Sequence, residues 1–75
     1  MTDLKMMKLT IGEKLTLLRK QAGKTQDDVA RHLHVSLPTY IKHEEDFLYP
    51  SDSQIAKLGQ LYSLTYEQVI RVGEE

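Results

Sequence analysis

Three histidines, His32, His34 and His43, are the side chains of this 75-residue chain best suited to metal binding or acid–base chemistry. His32 and His34 are two residues apart in a segment with a helical pattern, and that spacing points their rings in different directions. The chain has no cysteine, and no carboxylate completes a ligand set at a suitable spacing. We therefore predict no metal site and no cofactor.

Serine, histidine and aspartate all occur, so a hydrolytic triad has to be considered. Such a triad needs a preorganised pocket and an activated serine. A chain of 75 residues has little room to enclose a pocket, and no motif marks one of its serines as a nucleophile. We predict no catalytic residues and expect that the protein is not an enzyme.

The length of the chain allows one domain. A core of this size supplies only about 3–5 kcal/mol of net stability, so association with a second copy is expected. The lack of cysteine excludes a disulfide framework, and no apolar run approaches the roughly 18 residues of a membrane span. Because the first ten residues also lack the pattern of a signal peptide, we expect a soluble, cytoplasmic protein without a membrane contact.

The net charge of −1 conceals an uneven distribution. Residues 1–34 contain seven Lys or Arg and four Asp or Glu, whereas residues 35–75 contain three and seven. Each phosphate contact needs a local cation, so an acidic chain does not bind polyanions indiscriminately. One small basic face remains compatible with this balance.

The apolar pattern and the capping residues predict five helices. Helix one covers roughly residues 11–22, after a capping-box spacing at Thr10 and Glu13. Thr25 can cap helix two, at about 26–33. Ser36 can cap helix three, because the first turn of a helix tolerates Pro38.

The carboxyl half repeats these signals. Ser51 and Gln54 have capping-box spacing ahead of helix four, and Thr65 can cap a short helix five. We predict an N-terminal arm, mostly unstructured, at residues 1–9, a domain at residues 10–72 and a tail at residues 73–75.

Helices two and three form a helix-turn-helix by geometry, because about three residues join them and the small Ala30 lets them cross closely. Three motifs occur in order, IGxxLxxLR, TQxxVA and VSxxTYxKxE, before a loop ending in Pro50 and another amphipathic helix. This pattern resembles the Cro/lambda-repressor-like (Xre-type) family of DNA-binding domains over roughly residues 10–70. The resemblance implies a compact all-α fold of five helices with the helix-turn-helix at helices two and three.

In that family, helix two lies over the DNA backbone and the start of helix three contacts base edges in the major groove. The resemblance therefore implies base contacts from Leu37, Pro38, Thr39, Ile41 and Lys42. It implies contacts with the DNA backbone from Lys20, Lys24, Thr25, Gln26, Arg31 and Ser36. Arg19 and Glu44 match an ion pair that ties helix one to the end of helix three.

Leu37 and Pro38 form an apolar tip on helix three. They cannot donate hydrogen bonds to guanine, but they can contact the C5 methyl group of thymine, which predicts a preference for steps that contain T. Lys42 can add a hydrogen bond to a guanine or a phosphate. For the tip, the alternatives are a contact with another protein and an apolar surface that is merely tolerated. For Lys42, the alternative is an ordinary solvated lysine.

Two residues depart from the family pattern. The family usually has glycine at the position of His34 and often at that of Asp46. Because other residues adopt a positive φ only at a cost, the shape of the turn before helix three stays open. Glu45 and Asp46 also place negative charge near any phosphate at that end of the helix.

The loop before Pro50 contains three large residues in a row, Phe47, Leu48 and Tyr49. One or two of them are expected to fold onto the core, and the loop is a candidate subunit contact. The predicted dimer contacts are Phe47, Leu48, Tyr49, Tyr66, Val69 and Ile70.

Two functions are consistent with these features. The first is a DNA-binding transcriptional regulator, most simply a small phage or bacterial repressor that binds a near-palindromic operator as a homodimer. The alternative is a protein-interaction module on the same scaffold, antitoxin-like or an antirepressor, with weak or no DNA binding. The cations Lys20, Lys24, Arg31 and Lys42 favour double-stranded DNA as the partner, whereas the acidic residues 44–46 favour a protein partner.

Overall fold

A computed structural model describes residues 9–74, and all of the regular structure in this part of the chain is helical. The five helices are α1 (Ile11–Gln21), α2 (Gln26–Leu33), α3 (Leu37–Glu44), α4 (Asp52–Tyr62) and α5 (Tyr66–Ile70). The predicted all-α fold is confirmed. None of these helices has the length and apolar character needed to cross a bilayer. Residues 1–8 of the predicted arm lie outside the described residues.

A hydroxyl side chain begins each of the described helices. The N-cap oxygen accepts a hydrogen bond from the backbone N–H three residues later, at Thr10, Thr25, Ser36, Ser51 and Thr65. At every helix except α3, a side chain in the first turn also accepts from the N-cap N–H and completes a capping box. Each such cap contributes about 1 kcal/mol, and the predicted helix starts are confirmed.

The core lies where the five helices meet. Its fully or almost fully buried apolar side chains are Leu15, Leu18, Val29, Ala30, Leu33, Tyr40, Ile55, Leu58 and Val69. Val69 is completely buried in it, so it cannot reach a second chain, and its prediction as a dimer contact is wrong. The cause is the register of α5, which turns Val69 inward onto the core.

The turn between α2 and α3 is left-handed although it lacks glycine. His34 has φ 60° and ψ 40°, and its N–H donates to the Arg31 carbonyl oxygen at 3.1 Å. The N–H of Val35 donates to the Ala30 carbonyl oxygen at 3.0 Å, so the carbonyls of Ala30 and Arg31 near the end of α2 both have partners. The turn before α3 therefore keeps the shape that a glycine would give it. His34 takes the conformation that glycine adopts freely, at a cost of about 1 kcal/mol.

The two ends of the described chain meet at the start of α1. Lys14 is buried, and its Nζ donates to the carbonyl oxygen of Ile70 and to a Glu74 carboxylate oxygen at 3.3 Å. Leu9 lies against Gly73, where an added methyl group would come within 2.6 Å of its Cδ1 atom. Contacts of the domain therefore extend from Leu9 to Glu74, beyond the predicted limits of 10 and 72.

Candidate nucleic-acid interface

The outer face of α3 carries the predicted base contacts. Leu37, Pro38 and Lys42 are exposed, and Thr39 and Ile41 are half-buried. The opposite face of the helix is buried through Tyr40, His43 and Glu44. An apolar tip followed by one cation is thus presented to solvent, on a helix whose other side is packed inside the domain.

The predicted cationic contacts with the DNA backbone lie on the elements next to α3. Lys20 is exposed at the end of α1, and Lys24 is half-buried just before α2. Within residues 9–74, neither they nor Lys42 make an ion pair. Arg31 pairs with Asp27 at 2.9 Å, but its side chain is 80% exposed. An exposed pair of this kind contributes little stability, so Arg31 can exchange Asp27 for a phosphate.

The N-terminus of α2 is closed by a reciprocal pair of hydrogen bonds. The Thr25 N–H donates to Asp28 Oδ2 at 2.9 Å, and the Asp28 N–H donates to Thr25 Oγ1 at 3.0 Å. The hydrogen bonds from Thr25 hold the pKa of the Asp28 carboxyl below its ordinary value. Thr25 is exposed, so a phosphate can reach it while it caps the helix.

Arg19 and Glu44 form the predicted ion pair between α1 and the end of α3. Arg19 Nε donates to Glu44 Oε2 at 2.6 Å and Nη2 donates to Oε1 at 3.1 Å. Their side chains are only 14% and 4% exposed. Gln26 Nε2 also donates to Glu44 Oε1, at 3.0 Å, so the Glu44 carboxylate joins α1, α2 and α3.

This pairing changes what the Glu44 charge can do. Glu44 was counted among the acidic residues that favour a protein partner. In the structure its charge lies inside the domain and is compensated by Arg19. It therefore neither attracts a basic protein nor repels a phosphate.

Protonation of the Glu44 carboxylate in acid is expected to lower the stability of the folded domain. Burial alone would raise the pKa of Glu44, but the hydrogen bonds from Arg19 and Gln26 hold it below its ordinary value. The Glu44 carboxylate of the folded domain is thus protonated less readily than that of the unfolded chain, whose pKa is about 4.3. The stabilisation is complete above that pH and is lost as the pH falls through the lower, folded pKa.

We expect the urea midpoint of the domain to fall as the pH is lowered below about 4.3. Glu44→Gln should be less stable than the parent at neutral pH and should lose less stability over the same acid range. Urea titrations between about pH 6 and about pH 3 measure both. Parallel pH profiles for the two proteins would show that Glu44 is not the group responsible.

Two of the three histidines make contacts between elements. The His32 Nε2 atom lies 3.0 Å from the Lys57 carbonyl oxygen and links α2 to α4. The His43 ring is buried, and its Nδ1 atom lies 2.7 Å from the Leu48 carbonyl oxygen. The third, His34, is exposed and forms the turn before α3.

The loop before Pro50 exposes all three of its large side chains. The exposed fractions are 78% for Phe47, 44% for Leu48 and 65% for Tyr49. The expectation that one or two of them fold onto the core is wrong. Pro50 is fully buried instead, and the His43 ring holds the Leu48 carbonyl oxygen, so the core beneath the loop is filled without them.

Tyr66 continues this exposed surface. Its side chain is 42% exposed, and its hydroxyl donates to Asp52 Oδ1 at 3.0 Å. That hydrogen bond raises the pKa of Tyr66, with smaller contributions that include the nearby Tyr49. We call Phe47, Leu48, Tyr49 and Tyr66 the aromatic patch.

Sequence reasoning missed the role of Asp46. Its carboxylate accepts hydrogen bonds from Thr10 Oγ1 at 2.6 Å and from the Gly12 N–H at 2.9 Å. Both partners lie more than thirty residues away along the chain, and no local spacing signals such a contact. The Asp46 carboxylate therefore joins the turn after α3 to the start of α1, while the residue stays exposed.

Comparison with known proteins places this geometry in a family. The family described as helix-turn-helix domain matches residues 10–71, a range that contains all five helices. None of the curated proteins compared with the chain matches it. The family match agrees with the predicted resemblance to Cro/lambda-repressor-like domains, and the chain belongs to the helix-turn-helix domain family.

Proposed function

We propose that this helix-turn-helix domain is a sequence-specific, DNA-binding transcriptional regulator. The observation that carries the proposal is the division of α3 into a fixed inner face and a free outer face. The inner face is held by the Arg19–Glu44 pair, and the outer face exposes Leu37, Pro38 and Lys42. A helix supported in this way can enter the major groove without a rearrangement of the domain.

The outer face favours a half-site that contains thymine. Leu37 and Pro38 would contact thymine methyl groups, and Lys42 would donate to a guanine or a phosphate. The first turn of α3 has no acidic residue, which supports a phosphate at the helix N-terminus near the Ser36 hydroxyl. Lys20, Lys24 and Arg31 would position the duplex through its backbone.

We further propose that the protein acts as a repressor, in the cytoplasm, and binds a near-palindromic operator as a homodimer. Occupation of the operator would exclude polymerase without any chemistry, and two half-sites would add their binding energies. The half-site centres would lie about 34–36 Å apart. The exposed aromatic patch supports a contact between two copies, because apolar side chains of this size are seldom left in water together.

Selection from a pool of random duplex DNA tests the proposal directly. The expected result is one enriched motif with two inverted, T-containing half-sites about one helical turn apart. Sedimentation of the protein on the selected duplex should show two chains per site. Failure to enrich any motif would favour the alternative function, a protein-interaction module on the same scaffold.

Lys42→Ala is expected to weaken binding to the selected duplex by about 1–3 kcal/mol if Lys42 reads a base. The side chain is exposed on the outer face of α3, so the substitution removes the contact without disturbing the core. Fluorescence anisotropy at low salt measures the change. Lys57→Ala on α4 removes the same charge outside the helix-turn-helix and serves as the control. Equal affinities of the two variants would remove Lys42 from the site.

Phe47→Ser is expected to weaken the dimer by about 2 kcal/mol, because aromatic anchors dominate the energetics of small interfaces. Phe47 is the most exposed large apolar side chain among the described residues, so its loss should leave the fold intact. Sedimentation equilibrium measures the dissociation constant. Leu17→Ser, an exposed leucine on α1 outside the aromatic patch, is the matched control. A dimer that withstands Phe47→Ser would exclude the aromatic patch as the subunit contact.

A further inference from the structure

The turn after α3 is bound to the start of α1 through Asp46. Asp46 Oδ2 accepts from the Thr10 hydroxyl at 2.6 Å, and Oδ1 accepts from the Gly12 N–H at 2.9 Å. The first N–H groups of a helix have no partner within the helix and carry a partial positive charge. A carboxylate from elsewhere in the chain is well matched to this position.

Gly12 brings the two elements together at the same point. A methyl group added there would overlap the carbonyl oxygen of Glu44 and would lie 2.9 Å from Asp46 Oδ1. The last residue of α3 therefore lies directly on the first turn of α1. The Arg19–Glu44 pair holds the same end of α3 about two turns further along α1.

Asp46 also forms the left-handed turn that ends α3, where the Phe47 N–H donates to the Lys42 carbonyl oxygen at 2.9 Å. Its φ is 65°, in the left-handed region that glycine enters freely and that other residues enter at a cost. The two hydrogen bonds of its carboxylate offset that cost. The neighbouring acid, Glu45, is exposed like Asp46. Among the described residues, the Glu45 side chain makes no ion pair.

We propose that Asp46 is a positioning residue for DNA recognition. By fixing α3 on α1, it sets the distance between Lys20, at the end of α1, and Lys42, on the outer face of α3. The first is a proposed phosphate contact and the second a proposed base contact, so this distance determines which duplexes satisfy both. The inference rests on the proposed DNA-binding function.

The proposal and a purely electrostatic role predict opposite effects. If Asp46 only repelled DNA phosphates, its removal would strengthen binding to every duplex, as removal of Glu45 should. If it positions α3, its removal should weaken binding to the selected duplex and leave binding to a scrambled duplex unchanged or stronger. The ratio of the two affinities therefore separates the roles.

The experiment compares Asp46→Gly, Asp46→Asn and Glu45→Gln with the parent protein on the selected duplex and a scrambled duplex. Asp46→Gly should reduce the affinity ratio by about tenfold, the effect of losing hydrogen bonds to a charged group. Asp46→Asn keeps an acceptor for the Gly12 N–H and should recover most of the ratio, and Glu45→Gln should leave it unchanged. A ratio that Asp46→Gly does not lower would overturn the proposal.

Amide hydrogen exchange distinguishes this failure from failure of the proposed function. Asp46→Gly should accelerate exchange of the Gly12 amide while the amides of core residues Leu15 and Leu58 stay protected. Unchanged exchange at Gly12 would overturn positioning by Asp46, whatever the DNA results. A parent protein that binds neither duplex, in selections as well as titrations, would instead overturn the DNA-binding function itself.

Discussion

Replacement of Arg19 by methionine is expected to destabilise the domain by about 3–5 kcal/mol. The guanidinium makes two hydrogen bonds to the Glu44 carboxylate, at 2.6 and 3.1 Å. Without it, a carboxylate on a side chain only 4% exposed has no compensating charge. A domain of this size has a net stability of only about 3–5 kcal/mol, so the variant should be largely unfolded at room temperature. Circular dichroism during urea titration measures the loss.

Arg31→Met is the matched control, because it also removes an arginine from an ion pair. The side chains of Arg31 and Asp27 are 80% and 48% exposed, and such a pair contributes less than about 1 kcal/mol. The double variant Arg19→Met, Glu44→Met should recover part of the stability, since it removes the buried charge together with its partner. Equal losses in Arg19→Met and Arg31→Met would show that burial of the Arg19–Glu44 pair has no energetic consequence.

Affinity for the selected operator is expected to fall about a thousandfold between roughly 50 and 200 mM salt. In each protomer, the cations proposed to position the duplex through its phosphates are Lys20, Lys24 and Arg31. A dimer would thus release counterions from six phosphates, and the logarithm of affinity should fall with the logarithm of salt at a slope of about −5. Anisotropy titrations at several salt concentrations measure this slope.

Single substitutions show which residues contribute to the salt dependence of the affinity. Lys24→Ala should make the slope shallower by about two, because each of the two subunits loses one phosphate contact. Lys57→Ala, on α4, should leave it unchanged. A parent protein whose affinity does not respond to salt would contradict phosphate binding and would favour the protein-interaction alternative.

Much of the fold follows from signals that lie close together in the sequence. Thr10, Thr25, Ser36, Ser51 and Thr65 begin the five helices at the predicted positions. A cap needs only a hydroxyl and a backbone N–H three residues apart, so its signal is local. The same is true of the apolar spacing that turns Leu15, Leu18 and Leu58 inward. The Arg19–Glu44 pair is not local, and it was predicted only because the motifs around it resemble a known family.

The contacts that sequence reasoning missed join residues distant in the chain. A lysine such as Lys14 is expected at the surface, yet it is buried, and its Nζ donates to the Ile70 carbonyl oxygen and to the Glu74 carboxylate. Asp46 reads as a free charge, yet it binds Thr10 and Gly12. No spacing in the sequence predicts these contacts, because the distance along the chain does not show which helices pack together.

The sequence by itself determined where the helices begin, which of their faces are apolar and that α2 and α3 form a helix-turn-helix. Those properties depend on hydrogen bonds and side-chain periodicity within a few residues. Only the tertiary structure decided which charges remain in water and which apolar groups are left there. Glu44 is buried and Asp46 is bound because α1 supplies hydrogen-bond donors to both carboxylates. Phe47 and Tyr49 stay exposed, whereas the neighbouring Pro50 and His43 are buried.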